Sequence, residues 1–167
     1  PYTTLFRSKI ILNKENLSNP PYFDIANNNF LENNYVIIHK PNDNRQYTYE
    51  YLKILLSNAN NIFIQDKYFS CPNSINTSFY FLNNCLPKIK LSIFYTQNTF
   101  DKKMIKQAKM ICSSWQIRLD RTNINIQSNS HDRYLRIDNK LEIILSSGFD
   151  GLFSNNNESA LIIRELK

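Results

Sequence analysis

Glycine is almost missing from this 167-residue chain, which contains only Gly148 and Gly151. Phosphate-binding loops such as the P-loop or the G-x-G-x-x-G turn need several glycines close together, so both motifs are excluded. Both glycines follow the apolar segment 141–145. Because glycine tolerates positive φ and close approach of other atoms, the turn after this segment is predicted to need one of these properties.

Cysteines and long apolar runs are also scarce. Cys71, Cys85 and Cys112 are odd in number and lack the spacing of zinc ligands or of a disulfide framework. We therefore expect no metal and no cofactor, and a reducing, cytoplasmic location, with a peripheral place at a membrane left open. No apolar run reaches the ~18 residues of a membrane span.

The composition is that of a basic globular protein. The hydrophobic content is 42%, the aromatic content is 13% and the net charge is +6, which predicts a packed core rather than disorder. An excess of positive charge favours nucleic acid or anionic lipid as a partner. However, the chain is rich in Asn, Ile and Lys, as AT-rich coding sequences are, so we attribute part of the basicity to composition.

Three segments are distinguished along the chain. Residues 1–8 match the translation of a sequencing-adapter end and are expected not to be native. Residues 9–44 are a polar lead-in, interpreted as the remnant of a truncated N-terminal region, which leaves open a missing N-terminal domain. Residues 45–167 are predicted to form the main domain, and this length suits one hydrophobic core.

Apolar periodicity predicts alternating strands and helices. Strands are expected at 35–39, 62–65, 89–95, 115–119, 133–137, 141–145 and 160–164, and helices at 47–59, 75–86 and 101–112. This βα alternation, with a strand-rich end, predicts an α/β fold with a mixed sheet flanked by helices. Ligands of open α/β sheets bind at the strand ends, so the loop 66–68 should meet residues of the strand 133–137.

The segment from His131 to Asp138 carries the clearest chemical pattern, His-x-Arg-x4-Asp. Side chains two apart on a strand share a face, so His131 and Arg133 should point the same way. Imidazole can attack phosphorus or move a proton near neutral pH, and guanidinium can hold a phosphate with two hydrogen bonds. Asp138 is expected at the strand end, where a carboxylate could orient an imidazole.

Plainer interpretations stay open beside this one. His131 could simply end a loop, with Arg133 a solvated charge. Four lysines on the predicted helix 101–112 could follow a phosphate backbone, although such a face is ordinarily the solvated side of an amphipathic helix. Tyr47, Tyr49 and Tyr51 could stack on nucleic-acid bases, although aromatic residues entering a helix more often pack in the core.

The pattern resembles the motif of the phospholipase D superfamily, His-x-Lys-x4-Asp on a strand, followed by a second strand and a small turn. Here arginine replaces lysine, 141–145 supplies the second strand and 146–152 the turn. The earlier segment 62–69 resembles the strand end Ile-x-Ile-x-Asp-x-Tyr-Phe of such domains. The resemblance covers about residues 45–166 and is nearest to a divergent branch that includes the C-terminal domain of MIT-domain proteins and small bacterial domains.

The resemblance implies a set of site residues. His131, Arg133 and Asp138 would be the catalytic group, the turn would bind phosphate, and Asp66 and Tyr68 would support the site. The turn positions are Ser146, Ser147, Gly148 and Asp150. Gly148 and Asp150 stand where family enzymes usually have Ser and Asn, and a carboxylate there would repel phosphate. The departures favour phosphate recognition over fast chemistry.

Three functions are therefore considered. The first is a non-catalytic domain that binds a phosphodiester of anionic lipid or nucleic acid. The second is a phosphodiesterase acting through a phosphohistidine, which with one motif requires a homodimer or a partner domain. The third is a scaffold that keeps the fold only for oligomerisation. Binding is slightly favoured over catalysis, because one motif is missing and the turn is altered.

Overall fold

The computed structural model describes residues 11–13, 22–24, 35–121 and 133–166. The chain forms two compact units, Pro1–Asn33 and Asn34–Lys167. In the first unit, strands β1 (Ile11–Asn13) and β2 (Tyr22–Asp24) pair in parallel.

The second unit alternates strands and helices in chain order. Its elements are β3 (Tyr35–His39), α1 (Gln46–Leu56), β4 (Asn61–Gln65), α2 (Ile75–Asn84), β5 (Ser92–Tyr95), α3 (Lys102–Ile111), β6 (Gln116–Leu119), β7 (Arg133–Ile137), β8 (Leu141–Leu145), α4 (Gly148–Phe153) and β9 (Ser159–Glu165). The strands form one seven-stranded sheet in the order β3-β9-β8-β7-β4-β5-β6. Pairing is parallel in β4-β5-β6 and antiparallel elsewhere. The predicted α/β class with a mixed sheet is confirmed.

One face of the sheet supplies the strand half of the core. The register pairs Ile64 with Leu135 and Leu135 with Ile143, so these buried side chains lie side by side across β4, β7 and β8. Helix residues such as Leu52 and Phe81 belong to the same buried cluster. Burial of this apolar surface is the main force that holds helices and sheet together.

The helix α3 shows how local sequence sets an element. Asp101 precedes it, and its carboxylate accepts a hydrogen bond from the Met104 backbone N–H at 2.6 Å, which caps the helix. Met104 and Ala108 are buried, whereas Lys102, Lys103, Lys106 and Lys109 are exposed. The ammonium of Lys109 donates to the carbonyls of Ser113 and Trp115 beyond the helix end. The lysine face is therefore the solvated side of an amphipathic helix.

Trp115 lies just before the edge strand β6 and is fully buried. Its indole N–H donates to the carbonyl of Pro87 at 2.9 Å. The ammonium of Lys88 lies 4.9 Å from the ring centroid, within the range of a cation–π contact. These contacts join the segment after α2 to the start of β6.

Several element boundaries differ from the sequence-based expectation. Strand β3 lies within the segment 9–44 that the sequence indicates as a lead-in, and it joins the seven-stranded sheet by pairing with β9. Strand β5 begins only at Ser92, three residues after the exposed Ile89. The largest difference is α4, a six-residue helix in place of the predicted turn 146–152.

Helix α1 also ends before the predicted residue 59. Its last turn closes through the Ser57 side chain, whose hydroxyl donates to the Ile54 carbonyl at 2.8 Å. Such a local bond competes with continuation of the helix. In the part of the chain that the structure describes, no helix has the length and apolar character needed to cross a membrane.

Candidate phosphate site

Asp66 follows the last residue of β4, and it is almost completely buried. One carboxylate oxygen accepts from the backbone N–H of Tyr68 at 2.9 Å, and the other accepts from that of Phe149 at 3.2 Å. The backbone N–H of Asp66 itself donates to the Thr99 hydroxyl at 3.3 Å. The side chain is thereby fixed between the end of β4 and the start of α4.

The ionisation of Asp66 is set by competing effects. Burial is the largest and raises the pKa of its carboxyl group above the ordinary value of 3.8, and the nearby charge of Asp150 raises it further. The hydrogen bonds from Tyr68 and Phe149 and the charge of Arg133 act in the opposite direction. The net result is a raised pKa, because removal from water disfavours the charged form.

Gly148 lies where three site side chains meet. Its φ is +72°, a left-handed conformation that L side chains rarely adopt. A Cβ placed on it would lie 2.8 Å from Asp66 Oδ2, 3.0 Å from Asp150 Oδ1 and 3.3 Å from Arg133 Nε. Both properties predicted from the scarcity of glycine, positive φ and close approach, therefore occur at this residue. The missing side chain is what allows these groups to converge.

Arg133 begins β7 and is the cation of this cluster. Its Nη1 donates to the Ser146 carbonyl at 3.0 Å, and its guanidinium carbon lies 5.5 Å from the centroid of the Tyr68 ring. Its Nε is buried and has no hydrogen-bond partner among the residues that the structure describes. A buried donor without a partner is rare and points to a group that is not supplied by those residues, such as a water, an ion or a ligand oxygen.

The two serines of the predicted turn differ in their surroundings. The Ser146 hydroxyl accepts from the Ala160 backbone N–H at 2.8 Å and so links β8 to β9. The Ser147 hydroxyl is buried with no partner in the described part of the chain, and it lies where a Cβ on Gly151 would fall. The Ser146 hydroxyl thus contributes to the contact between β8 and β9, and Ser147 lies beside the cluster, directly before α4.

Asp138 lies apart from the other predicted site residues. It follows β7 at the end opposite to Arg133, and five residues at ~3.3 Å each separate the two Cα atoms by roughly 16 Å. Its carboxylate accepts from the backbone N–H groups of Asn60 and Asn61, at 3.1 and 2.7 Å. It therefore fastens the turn before β4 to the end of β7 and cannot orient a side chain at the candidate site.

His131 lies outside the described residues, so its predicted place beside Arg133 stays a prediction. The other predicted residues do converge: Asp66, Tyr68, Arg133, Gly148 and Asp150 meet at one edge of the sheet. This convergence follows from the strand order, because the end of β4 is adjacent to the start of the antiparallel strand β7.

Two further residues support the site although the sequence pattern did not indicate them. The Thr99 hydroxyl accepts a hydrogen bond from the backbone N–H of Asp66, and it lies 2.8 Å from the Thr96 hydroxyl. Phe149 packs its ring between those of Phe69 and Phe81, with centroids 5.0 and 4.7 Å away, which anchors the start of α4. No pattern signals the threonines, whereas an apolar residue directly after the first glycine is a usable signal for Phe149.

No family model matches the chain, and no curated protein matches it. Several solved structures do match the chain. NucT from Helicobacter pylori shares 17% identity at a TM-score of 0.45, over 78% of this chain and 86% of that one. A phospholipase D family member, Nuc from Salmonella typhimurium, shares 14% identity at a TM-score of 0.43, over 80% and 84%.

A third similar structure is the polyphosphate kinase from Porphyromonas gingivalis, with 11% identity and a TM-score of 0.45. It is matched over 78% of this chain but only 23% of its own length. The shared part is therefore one portion of a larger protein.

Proposed function

We propose that this domain binds the phosphodiester group of a nucleic-acid backbone or an anionic lipid headgroup at the cluster around Gly148. Arg133 is the anchor, because guanidinium forms two parallel hydrogen bonds to phosphate oxygens. The observation that carries the proposal is the buried Nε of Arg133, which has no hydrogen-bond partner among the described residues and lies 3.3 Å from the point where a Cβ on Gly148 would be.

The charges of the cluster favour binding over rapid catalysis. Asp66 and Asp150 both approach Gly148, and each carboxylate would repel a bound phosphate when ionised. Burial raises the pKa of Asp66, which lessens its repulsion at acidic pH. We expect the affinity for a phosphodiester to increase as the pH falls toward the raised pKa of Asp66. A site built for turnover near neutrality would avoid such repulsion.

The second candidate is a phosphodiesterase that acts as a homodimer. His131 would attack phosphorus and form a phosphohistidine, while the His131 of the second copy protonates the departing alkoxide. Water would then cleave the phosphorus–nitrogen bond and release the phosphomonoester and the free histidine. The sequence spacing favours this candidate, since residues two apart on a strand share a face and His131 would then stand beside Arg133.

A binding assay with matched variants tests the proposal. The probes are a single-stranded oligonucleotide and phosphatidylglycerol vesicles, each titrated over a salt series, because backbone contacts weaken as salt rises. We expect Arg133→Ala to reduce affinity by about 10-fold to 100-fold, the scale of a charged hydrogen bond. Arg118→Ala removes the same charge from an exposed site on β6 and should leave the affinity nearly unchanged.

Turnover of a generic phosphodiester separates the two candidates. Binding without catalysis predicts no turnover in the wild type and an affinity that depends on Arg133 more than on His131. The enzyme candidate predicts turnover that His131→Ala abolishes while affinity for a phosphate analogue persists. Salt-insensitive binding that does not depend on Arg133 would remove the phosphate site altogether.

A further inference from the structure

A second concave site lies at the C-terminal end of α4. It is an open depression of about 460 Å³, bounded by the start of α1, by Tyr80 of α2 and by the segment after α4. This volume is within the range of small-molecule sites. None of the residues in the Gly148 cluster lines it.

One wall of this pocket is aromatic. The rings of Tyr49 and Phe153 stack with centroids 4.9 Å apart and planes 25° apart, and the Tyr80 ring lies 5.5 Å from that of Phe153. Tyr80 is 41% exposed, so part of its ring faces solvent. Three adjoining rings with one open to solvent form a surface on which a planar ligand can stack.

The other side of the pocket is lined by side-chain amides, those of Asn44, Gln46, Asn155 and Asn156. The amide oxygen of Asn44 accepts the Gln46 backbone N–H, which leaves its NH₂ group as a donor. The NH₂ of Gln46 donates to Glu50, which leaves the Gln46 oxygen as an acceptor. The amides therefore offer both donors and acceptors, which suit the mixed edges of a nucleobase, and Arg45 is the one charged residue among the described residues of the lining.

Arg45 holds the pocket in place. It is buried, and its guanidinium donates to the carbonyls of Gly151, Leu152 and Asn157, which fixes the end of α4 and the following segment against the start of α1. The Tyr49 hydroxyl donates to the Leu152 carbonyl at 3.3 Å. A wall tied down in this way needs little reorganisation when a ligand binds.

We propose that this pocket binds a nucleobase, and that the phosphodiester ligand of the Gly148 cluster is single-stranded nucleic acid rather than lipid. The inference rests on the proposed function for the identity of the ligand. The helix α4 joins the two sites, with Gly148 at its first residue and Phe153 at its last. At 1.5 Å per residue these ends are about 8 Å apart, a distance that a short single-stranded oligonucleotide can span. The glycerol headgroup of phosphatidylglycerol offers no planar ring that could stack on the aromatic wall.

The test compares a hexathymidylate with an abasic oligonucleotide of the same length and charge. The wild type should bind the hexathymidylate about 5-fold to 150-fold more tightly, the effect of stacking one base on an aromatic side chain. Tyr80→Ala should reduce the ratio of the two affinities, hexathymidylate over abasic oligonucleotide, toward one, and Tyr80→Trp should preserve this ratio. Tyr47→Ala is the control, because Tyr47 is another exposed tyrosine that stacks on Tyr51 and lies outside the pocket lining.

A double variant, Asn155→Ala with Asn156→Ala, guards against a folding defect in Tyr80→Ala. Both asparagines are exposed, so the double variant should fold, and it should also lower the ratio. Equal affinity of the wild type for the two oligonucleotides would overturn the inference. So would a preference for phosphatidylglycerol vesicles that depends on Tyr80.

The outcomes distinguish this inference from the proposed function. Arg133→Ala could weaken binding of both oligonucleotides equally while the wild type binds the two with the same affinity. That result would support the phosphate site and contradict the base pocket. If neither oligonucleotide nor vesicle binding depends on Arg133, the proposed function fails and the inference fails with it.

Discussion

The carboxylate of Asp66 accepts a hydrogen bond at 3.2 Å from the backbone N–H of Phe149, which is 83 residues further along the chain. The same oxygen lies 2.8 Å from the point where a Cβ on Gly148 would be. Asp66 is therefore both a link between β4 and α4 and a source of negative charge at the candidate phosphate site.

The raised pKa of Asp66 predicts a specific pH dependence of stability. The folded state binds the proton of the Asp66 carboxyl group more tightly than the unfolded chain does. The contribution of this group to the free energy of unfolding is therefore complete below the ordinary pKa of 3.8 and is lost as the pH rises through the folded pKa. Compared with the wild type, Asp66→Asn should gain in relative stability as the pH rises through that window. Denaturant unfolding across the window measures this, and parallel curves for the two proteins would contradict it.

The two glycines should respond differently to substitution. Gly148→Ala should lower the free energy of unfolding by about 1–2 kcal/mol, because its positive φ disfavours any L side chain. Gly151→Ala should also destabilise, but for a different reason: the new Cβ would lie 2.1 Å from the Ser147 hydroxyl oxygen. Adding Ser147→Gly should therefore rescue Gly151→Ala and leave Gly148→Ala unimproved. Rescue of both, measured by thermal unfolding, would show that φ is not the cause at Gly148.

Much of the sheet could be predicted from the sequence, because its central strands are short apolar runs bounded by polar residues. The meeting of Asp66 with Arg133 also followed, since ligand sites of such sheets lie at strand ends. The helix α4 could not be predicted: Phe149 stabilises it by packing on Phe69 and Phe81, which are remote in the sequence. The true partners of Asp138 likewise depend on the pairing of β4 with β7.

His39 should make the fold sensitive to acid. Burial is the main cause that lowers the pKa of this imidazole below its ordinary value of 6.5, and the charge of Arg45 adds to it, while Asp43 opposes it. The unfolded chain then holds the proton more tightly, so the contribution to stability is complete above 6.5 and is lost as the pH falls toward the folded pKa.

The measurement is the free energy of unfolding on either side of that range. Acidification should lower the free energy of unfolding less in His39→Gln than in the wild type. His131→Gln, which replaces the only other histidine, is the control. An unchanged acid response in His39→Gln would refute the assignment.

Glu142 should be the most sensitive charged residue of the sheet. Its buried carboxylate accepts from Arg136 Nε at 2.7 Å and from Arg164 Nε at 2.8 Å, across three neighbouring strands in register. Glu142→Gln should lower stability by about 1.5–3 kcal/mol, the scale of hydrogen bonds to charged groups. Arg136→Gln should cost less, because Arg164 still neutralises the carboxylate. Denaturant titration gives both values, and the reverse order would contradict the expectation.

Trp115 gives the domain an intrinsic optical reporter. It is the only tryptophan in the chain, its ring is enclosed, and its N–H bond to the Pro87 carbonyl breaks when the edge of the sheet opens. It precedes β6, which is three strands from β7 in the sheet order. Its emission therefore registers opening of this edge of the sheet, at a position remote from the phosphate cluster, without any added dye or label.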